Sequence, residues 1–290
     1  MTGFSVVIPT LNAENDIDAL LSRLVEQTIV PCEILVIDSG STDRTLEIVR
    51  NYPSVRVLKI SSADFNHGLT RDLGLQSVEG EYICFLTQDA IPINKDYFAR
   101  LLGPMIEDPE IALVSGRQVA KAEAHSYERL VREFNYPEIS SVRSISDVPR
   151  IGIKTFFASD VCSAYRRDAY NKCGGFVKCD TNEDMLMAAR LIAGGYKVAY
   201  ESAATVFHSH NLSPRQQYVR NRAVGKFMVE HAEDLMGVSE VGEGAKLVQF
   251  VATQLIREFD FIGLFGFCVD CLARIAGNRI GRKQGNKRRD

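Results

Sequence analysis

Tyr82-Ile83-Cys84-Phe85-Leu86-Thr87-Gln88-Asp89-Ala90 decides the fold. Five apolar residues in a row, with no polar alternation, read as a strand covered on both faces. The polar turn behind them sets the Asp89 carboxylate at the strand's mouth, where it can hold a divalent cation or a sugar hydroxyl. The same grammar recurs upstream. Phe4 to Pro9, Glu33 to Ile37 and Val55 to Ile60 are further strands. Between them, Ile17, Leu20, Leu21, Leu24 and Val25 fall at helical spacing within Ala13 to Gln27. Asp38-Ser39-Gly40-Ser41-Thr42-Asp43 is a turn leading into a helix through Arg50, and a helix from His67 to Val78 precedes Tyr82. Strands alternating with helices predict an α/β fold with an open, mostly parallel, doubly wound sheet. Ligands of such sheets sit beyond the carboxyl ends of the strands, so Asp38 and Asp89 are expected to share one site.

Downstream the pattern loosens. Ile111 to Val119 reads as a strand, and Lys121 to Thr155 is polar with a short helix at Tyr127 to Phe134. A long, weakly periodic segment of this kind suits a lid or a binding region. Thr155 to Tyr165 is expected as a strand, Asp184 to Ala193 as a helix ended by Gly194-Gly195, and Lys197 to Tyr200 and Thr205 to Phe207 as two short strands. From Pro214 the chain reads as helical, with a break near Gly237 to Gly244. Two regions result: residues 1–212 as the catalytic α/β unit, and 213–290 as a helical appendage with a basic tail.

Bulk properties exclude several classes. The 290 residues carry a net charge of −3, which gives no support to nucleic-acid binding. Seven scattered cysteines do not form a secretory disulfide framework and point to a reducing cytoplasm. Cys268 and Cys271, like Cys173 and Cys179, read as small core residues, because no second pair has zinc spacing. The N-terminus enters a strand at once, without the basic flank of a signal peptide. G-x-G-x-x-G after the first strand and G-x-x-x-x-G-K-[ST] are both absent, which disfavours dinucleotide and P-loop enzymes. No uncharged apolar run reaches about 18 residues, so no transmembrane helix is expected. Phe259 to Ala273 is apolar but holds Asp260 and Asp270. Behind it come Arg274, Arg279, Arg282, Lys283, Lys287, Arg288 and Arg289. An apolar helix with a basic tail suits the anionic inner face of a cell membrane; a packed helix with a solvated, disordered tail is the other reading.

Ser5-Val6-Val7-Ile8-Pro9-Thr10-Leu11-Asn12 and Val36-Ile37-Asp38-Ser39-Gly40-Ser41-Thr42-Asp43 resemble the inverting glycosyltransferases of family 2, which have the GT-A fold. The resemblance runs from about Phe4 to His210. Phe65-Asn66-His67-Gly68-Leu69-Thr70-Arg71 with Thr87-Gln88-Asp89-Ala90 is most similar to bacterial rhamnosyltransferases. It implies a thymidine diphosphate rhamnose donor and an acceptor in surface polysaccharide, as a saccharide or a lipid-linked saccharide. A uridine diphosphate hexose or N-acetylhexosamine donor, and a non-catalytic relative that only binds nucleotide sugar or glycan, remain alternatives.

The resemblance assigns Asp38 to the nucleobase, where a carboxylate accepts the imide N–H strongly; the same residue also suits a plain turn. Pro9, Thr10 and Asn12 are expected to line that pocket, with Gln88 beside Asp89. Arg71 offers a fork for the diphosphate, and His67 either touches the donor or shapes the turn. Asp89 is the metal candidate for Mg²⁺ or Mn²⁺, with His208, and after it His210, as nitrogen ligands. Thr87 departs from the family, which usually carries an acid there. Glu183 and Asp184 open a helix, a placement its dipole alone would favour. The resemblance makes Asp184 the base that deprotonates the acceptor. A free Asp has a pKa of about 3.9, and Glu183 beside it tends to raise that value.

Overall fold

A computed structural model describes residues 3–238 and 241–289; Met1, Thr2, Ser239, Glu240 and Asp290 lie outside it. In chain order the elements are β1 (Phe4–Thr10), α1 (Ile17–Val25), β2 (Glu33–Asp38), α2 (Thr45–Val49), β3 (Val55–Lys59), α3 (His67–Gln76), β4 (Tyr82–Leu86) and β5 (Ile91–Pro92). Then follow α4 (Tyr97–Glu107), β6 (Ile111–Val119), α5 (Ser126–Asn135), β7 (Ser141–Arg143), α6 (Val148–Ile151), β8 (Cys162–Arg166), α7 (Arg167–Lys172) and α8 (Glu183–Ala193). β9 (Lys197–Phe207), α9 (Pro214–Glu230), α10 (Val241–Arg257) and α11 (Phe261–Arg289) complete the chain.

The central strands lack polar alternation because both of their faces are covered. Val6, Ile8, Ile34, Val36, Cys84 and Leu86 face the core packed by α1 and α4. Val7, Leu35, Ile37, Ile83 and Phe85 face the opposite core, shared with Leu186 and Ile192 of α8. Among the described residues the sheet has nine strands, in the order β3-β2-β1-β4-β8-β6-β9-β5 with β7 on β9. β3, β2, β1 and β4 run parallel, and β8 is antiparallel between β4 and β6. The chain leaves β1 to build β2 and β3 on one side and returns to place β4 on the other. That reversal opens a crevice at the carboxyl ends of β1 and β4, the usual ligand position in open α/β sheets.

Three expected strands differ. Thr155 and Phe156 lie in a 3₁₀ turn over Gly152–Phe156, and β8 starts only at Cys162. Buried Asp160 accepts the Ser163 hydroxyl at 2.7 Å and the Tyr165 hydroxyl at 2.8 Å, which pins a turn where a strand was expected. Lys197–Tyr200 and Thr205–Phe207 are one strand, β9, whose register against β6 slips between Gly116 and Arg117. A bulge accommodates the extra residues.

The C-terminal region differs more. α9 starts just after the expected boundary at residue 212, yet Phe227 and Met228 share the second core with the sheet. α11 is one continuous helix through Arg289, not a solvated coil. Its Gly277, Gly281 and Gly285 pack against α9, where a Cβ on Gly277 would meet Tyr218 O at 2.3 Å and one on Gly281 would meet Arg222 O at 2.0 Å. By length and composition alone α11 passes for a membrane-spanning helix, although no uncharged run within it reaches that length. The charges that interrupt it, Asp270 and Arg274, pair with each other at 2.5 Å.

The contact between these helices gives a prediction of sign. Gly→Ala inside a helix ordinarily gains up to about 1 kcal/mol. At Gly281 the added methyl meets the backbone of α9, so Gly281→Ala is expected to lower stability by about 1–3 kcal/mol. Gly103→Ala in α4 meets nothing within 4 Å and serves as the control, with stability kept or raised. Urea denaturation of both variants makes the comparison, and a stabilised Gly281→Ala would contradict the packing.

Candidate active site

The crevice is built from three loops sewn together. Asp38 ends β2 beside Thr10 of β1, as Pro9 lies beside Ile37. Its buried carboxylate accepts the N–H groups of Gly40 at 3.2 Å and Ser41 at 3.3 Å. Gly40 turns the loop at φ +93°, a conformation that favours glycine. Asp43 caps α2 instead, accepting Thr45 N–H at 3.0 Å. Asp38 thus serves its turn, and a carboxylate has about four acceptor positions, so capacity remains for a ligand donor. The Thr10 hydroxyl bonds back to Ile8 O at 3.0 Å. Asn12, at φ +49°, accepts Thr42 N–H at 2.9 Å and donates its own N–H to the Ser41 hydroxyl at 2.9 Å. Gln88 accepts Leu11 N–H at 2.8 Å and donates to Leu11 O at 3.1 Å. Asn12 and Gln88, expected to touch the donor, spend these groups on locking the loops that frame it.

The antiparallel pairing of Ile91 with Phe207 brings the turn after β4 against the end of β9. Asp89, His208 and His210 meet there, with one ligand atom from each inside 4.8 Å of the others. Asp89 Oδ2 lies 3.5 Å from His208 Nε2 and 3.3 Å from His210 Nε2. Gln118 sets the His208 tautomer. Its amide nitrogen donates to Tyr136 Oη at 2.8 Å and Ser159 Oγ at 2.9 Å, so its oxygen accepts from His208 Nδ1 at 3.0 Å and from Arg132. Nδ1 therefore carries the proton and the Nε2 lone pair faces Asp89. Desolvation, helped by the Arg132 charge, pushes the His208 pKa down to about 2, so the ring stays neutral. One carboxylate and two imidazoles fit a divalent cation that still needs oxygens from elsewhere, and the nitrogen ligands suit Mn²⁺ better than Mg²⁺. His210 holds a place equal to that of His208. The Thr87 hydroxyl is buried with no hydrogen-bond partner among the described residues.

Glu183 and Asp184 form the first turn of α8 behind Asn182, which adopts φ +59°. Arg71 departs from expectation. It is buried, with Nη1 2.8 Å from Glu183 Oε1 and Nε 3.6 Å from Asp160 Oδ2. The close approach of α3 to the loop before α8 draws the guanidinium inward. A Cβ on Gly68 would stand 2.1 Å from Val177 O, so only glycine permits that approach. His67 opens α3, its carbonyl accepts from Arg71 at 3.2 Å, and its ring packs edge-on against Phe65. Asp184 accepts the N–H groups of Asp160 at 3.2 Å and Met185 at 2.7 Å. Desolvation, then Glu183, then Asp160 raise its pKa well above the usual carboxylate range. Burial pushes Asp160 up to about 6 against the opposing pull of Arg71.

Sequence reasoning missed two features. Asp160 was absorbed into an expected strand; a carboxylate directly ahead of an apolar run was its only signal. The second is a cavity of about 210 Å³ beside His210, lined by Glu128, Arg132, Tyr136, Arg220 and Arg274. Arg132 pairs with Glu128 at 2.9 Å and Arg274 with Asp270. The Arg220 side chain makes no hydrogen bond or ion pair among the described residues. Desolvation, then Arg274 and Arg132, lowers its pKa, as expected where cations outnumber anions. Bonded paths join the parts of the site: Asp38 through Ser41, Asn12, Leu11 and Gln88 to Asp89, and His208 through Gln118 and Ser159 to Asp160 and Asp184.

Comparison with known proteins agrees with this architecture. The profile of glycosyl transferase family 2 matches residues 5–174. The O-antigen chain rhamnosyltransferase RfbN of Salmonella typhimurium is 38% identical over 265 residues, 89% of this chain and 82% of that protein. The O-antigen chain rhamnosyltransferase WbaN of Salmonella anatum is 37% identical over 270 residues, 90% of this chain and 84% of that protein. Among solved structures, the mannosyltransferase PcManGT from Pyrobaculum calidifontis, in complex with GDP-Man and Mn²⁺, superposes with a TM-score of 0.60 at 18% identity. That match covers 94% of this chain and 74% of that one. S. aureus TarS 1-349 in complex with UDP-GlcNAc gives 0.56 at 22% identity, over 89% and 73%. The two structures share the GT-A-like fold, and the chain is a glycosyltransferase that belongs to family 2.

Proposed function

We propose that the enzyme transfers L-rhamnose from thymidine diphosphate L-rhamnose, with inversion, to a saccharide or lipid-linked saccharide acceptor of a bacterial surface polysaccharide. Two O-antigen rhamnosyltransferases matched over most of their length support the substrate class. The observation that carries the chemistry is the bonded path from the Asp89 cluster to Asp184. Asp38 takes the imide N–H of the pyrimidine, with Pro9 and Thr10 beside it. Asp89, His208 and His210 would hold a divalent cation, whose charge would offset that of the leaving diphosphate. Arg220, with Arg132 behind it, meets the remaining phosphate charge, in place of the buried Arg71. Asp184 takes the proton of the acceptor hydroxyl as its oxygen attacks the anomeric carbon from the face opposite the diphosphate. Arg71 and Glu183 hold the start of α8 and so fix Asp184. The free cysteines fit a reducing cytoplasm, with the reaction at the inner face of the cell membrane.

Asp184→Asn is expected to cut turnover by about 10²–10⁴-fold, while donor affinity measured by calorimetry stays within a few-fold. A parallel loss of donor affinity would contradict its role as base. Asp184 acts only when deprotonated and its pKa is raised, so kcat/KM should climb with pH well above the free carboxylate range. Asp160→Asn removes a neighbouring negative charge and should move that rising limb to lower pH; an unmoved limb would detach Asp160 from the base. Asp89→Ala and His210→Ala should each abolish Mn²⁺-dependent binding of thymidine diphosphate, read by calorimetry with and without the ion. Unchanged metal dependence would place the ion elsewhere. A panel of thymidine- and uridine-diphosphate sugars with Mn²⁺ separates the rhamnosyl donor from a uridine diphosphate hexose.

A further inference from the structure

α11 has two unlike sides. Phe267, Asp270, Gly277, Gly281 and Gly285 are buried against the rest of the protein. Phe261, Phe265, Leu272 and Ile275 point outward, and Phe265 and Leu272 are 73% and 68% exposed. At about 3.6 residues per turn these positions form one stripe, which Arg279, Lys283 and Lys287 continue along the same side. None of these three cations makes an ion pair among the described residues. The tip before the helix extends the apolar end: Phe259 is 79% exposed at φ +55°, a conformation a bulky side chain rarely adopts, and Ile262 is 88% exposed.

The acids of this region are turned away. Asp260 accepts from the Ser126 hydroxyl and from Gly263 N–H, Glu258 pairs with Arg129 at 2.9 Å, and Asp270 pairs with Arg274. Among the described residues the stripe thus runs from apolar to basic with no exposed carboxylate on it.

We infer that this outward face of α11 is a docking surface for an anionic lipid bilayer, with the helix lying in the plane of the interface. The apolar half enters the acyl boundary, and Arg279, Lys283 and Lys287 meet anionic headgroups. The helix does not cross, because its inner side is clasped to α9 at backbone contact. A second copy of the chain is the poorer occupant, since stripe on stripe in parallel sets cation against cation. The inner side also carries Arg274 into the cavity beside His210, so docking brings the active site to the lipid surface. This deepens the membrane placement proposed above and rests on it.

Flotation of the full-length protein with phosphatidylglycerol–phosphatidylcholine vesicles, against phosphatidylcholine alone, tests the surface. The wild type should float with the anionic vesicles and release with salt. Phe261→Ser/Phe265→Ser should lose about tenfold or more of that binding, and Arg279→Gln/Lys283→Gln should lose the preference for anionic lipid. Failure of the wild type to float, equal flotation of the variants, or resistance to alkaline carbonate extraction would overturn the proposal. So would a solution dimer, seen by sedimentation, that the phenylalanine variants dissolve. Transfer to a water-soluble saccharide should be unchanged in both double variants, and it reads the catalytic proposal separately from lipid binding.

Discussion

The buried pairing of Arg71 with Glu183 and Asp160 is the constraint on which the site depends. One guanidinium stands among three carboxylates, Asp160, Glu183 and Asp184, so the cluster is short of positive charge. Removing a single partner from such a group typically costs about 3–5 kcal/mol, because the remaining charge is left buried and unpaired. The same shortage does chemical work. A carboxylate that water and cations do not fully satisfy holds its proton more tightly, and Asp184 is the member closest to open space. The ion pair that fixes α3 against α8 therefore also sets the basicity of the residue at the head of α8.

Much of this was legible in the chain. Apolar runs without alternation gave β1, β2 and β4 because two cores cover them, and the turns behind those runs mark the crevice. Asp89 and His208 were visible for the same reason: each follows a strand directly. Asp160 was not, since its partners Arg71 and Asp184 lie far away in sequence and no spacing links them. Arg71 was visible as a cation but not in its direction, because a helix sequence does not say which neighbour will crowd one side. The close pass of Gly68 under Val177 settles that in three dimensions. The helical tail was hidden by its charges, which suggested a coil until the glycines of α11 met α9.

Asn12 and Gln88 show a more general limit. Residues that bind ligands and residues that lock loops present the same amides and the same reach. Gln88 satisfies both backbone groups of Leu11, and Asn12 bridges the first two loops. Such residues shape the donor pocket by holding its walls. Asp38 has room for both tasks, since two backbone donors leave part of its carboxylate free.

The metal cluster carries a further consequence of charge. Asp89 supplies the only carboxylate among the three candidate metal ligands. His208 is held neutral, so the protein offers one negative charge to a doubly charged ion. A hard divalent cation prefers anionic oxygens, and the diphosphate is the nearest source of them. Affinity for ion and donor is then expected to be mutual: each completes the other's partners, and neither is strongly held alone. Arg220 beside His210 would act in the same direction, because its side chain has no anionic partner among the described residues. A site so short of negative charge selects its ligand by charge before it reads the sugar. The shape of the sugar pocket refines a choice that the diphosphate has already begun.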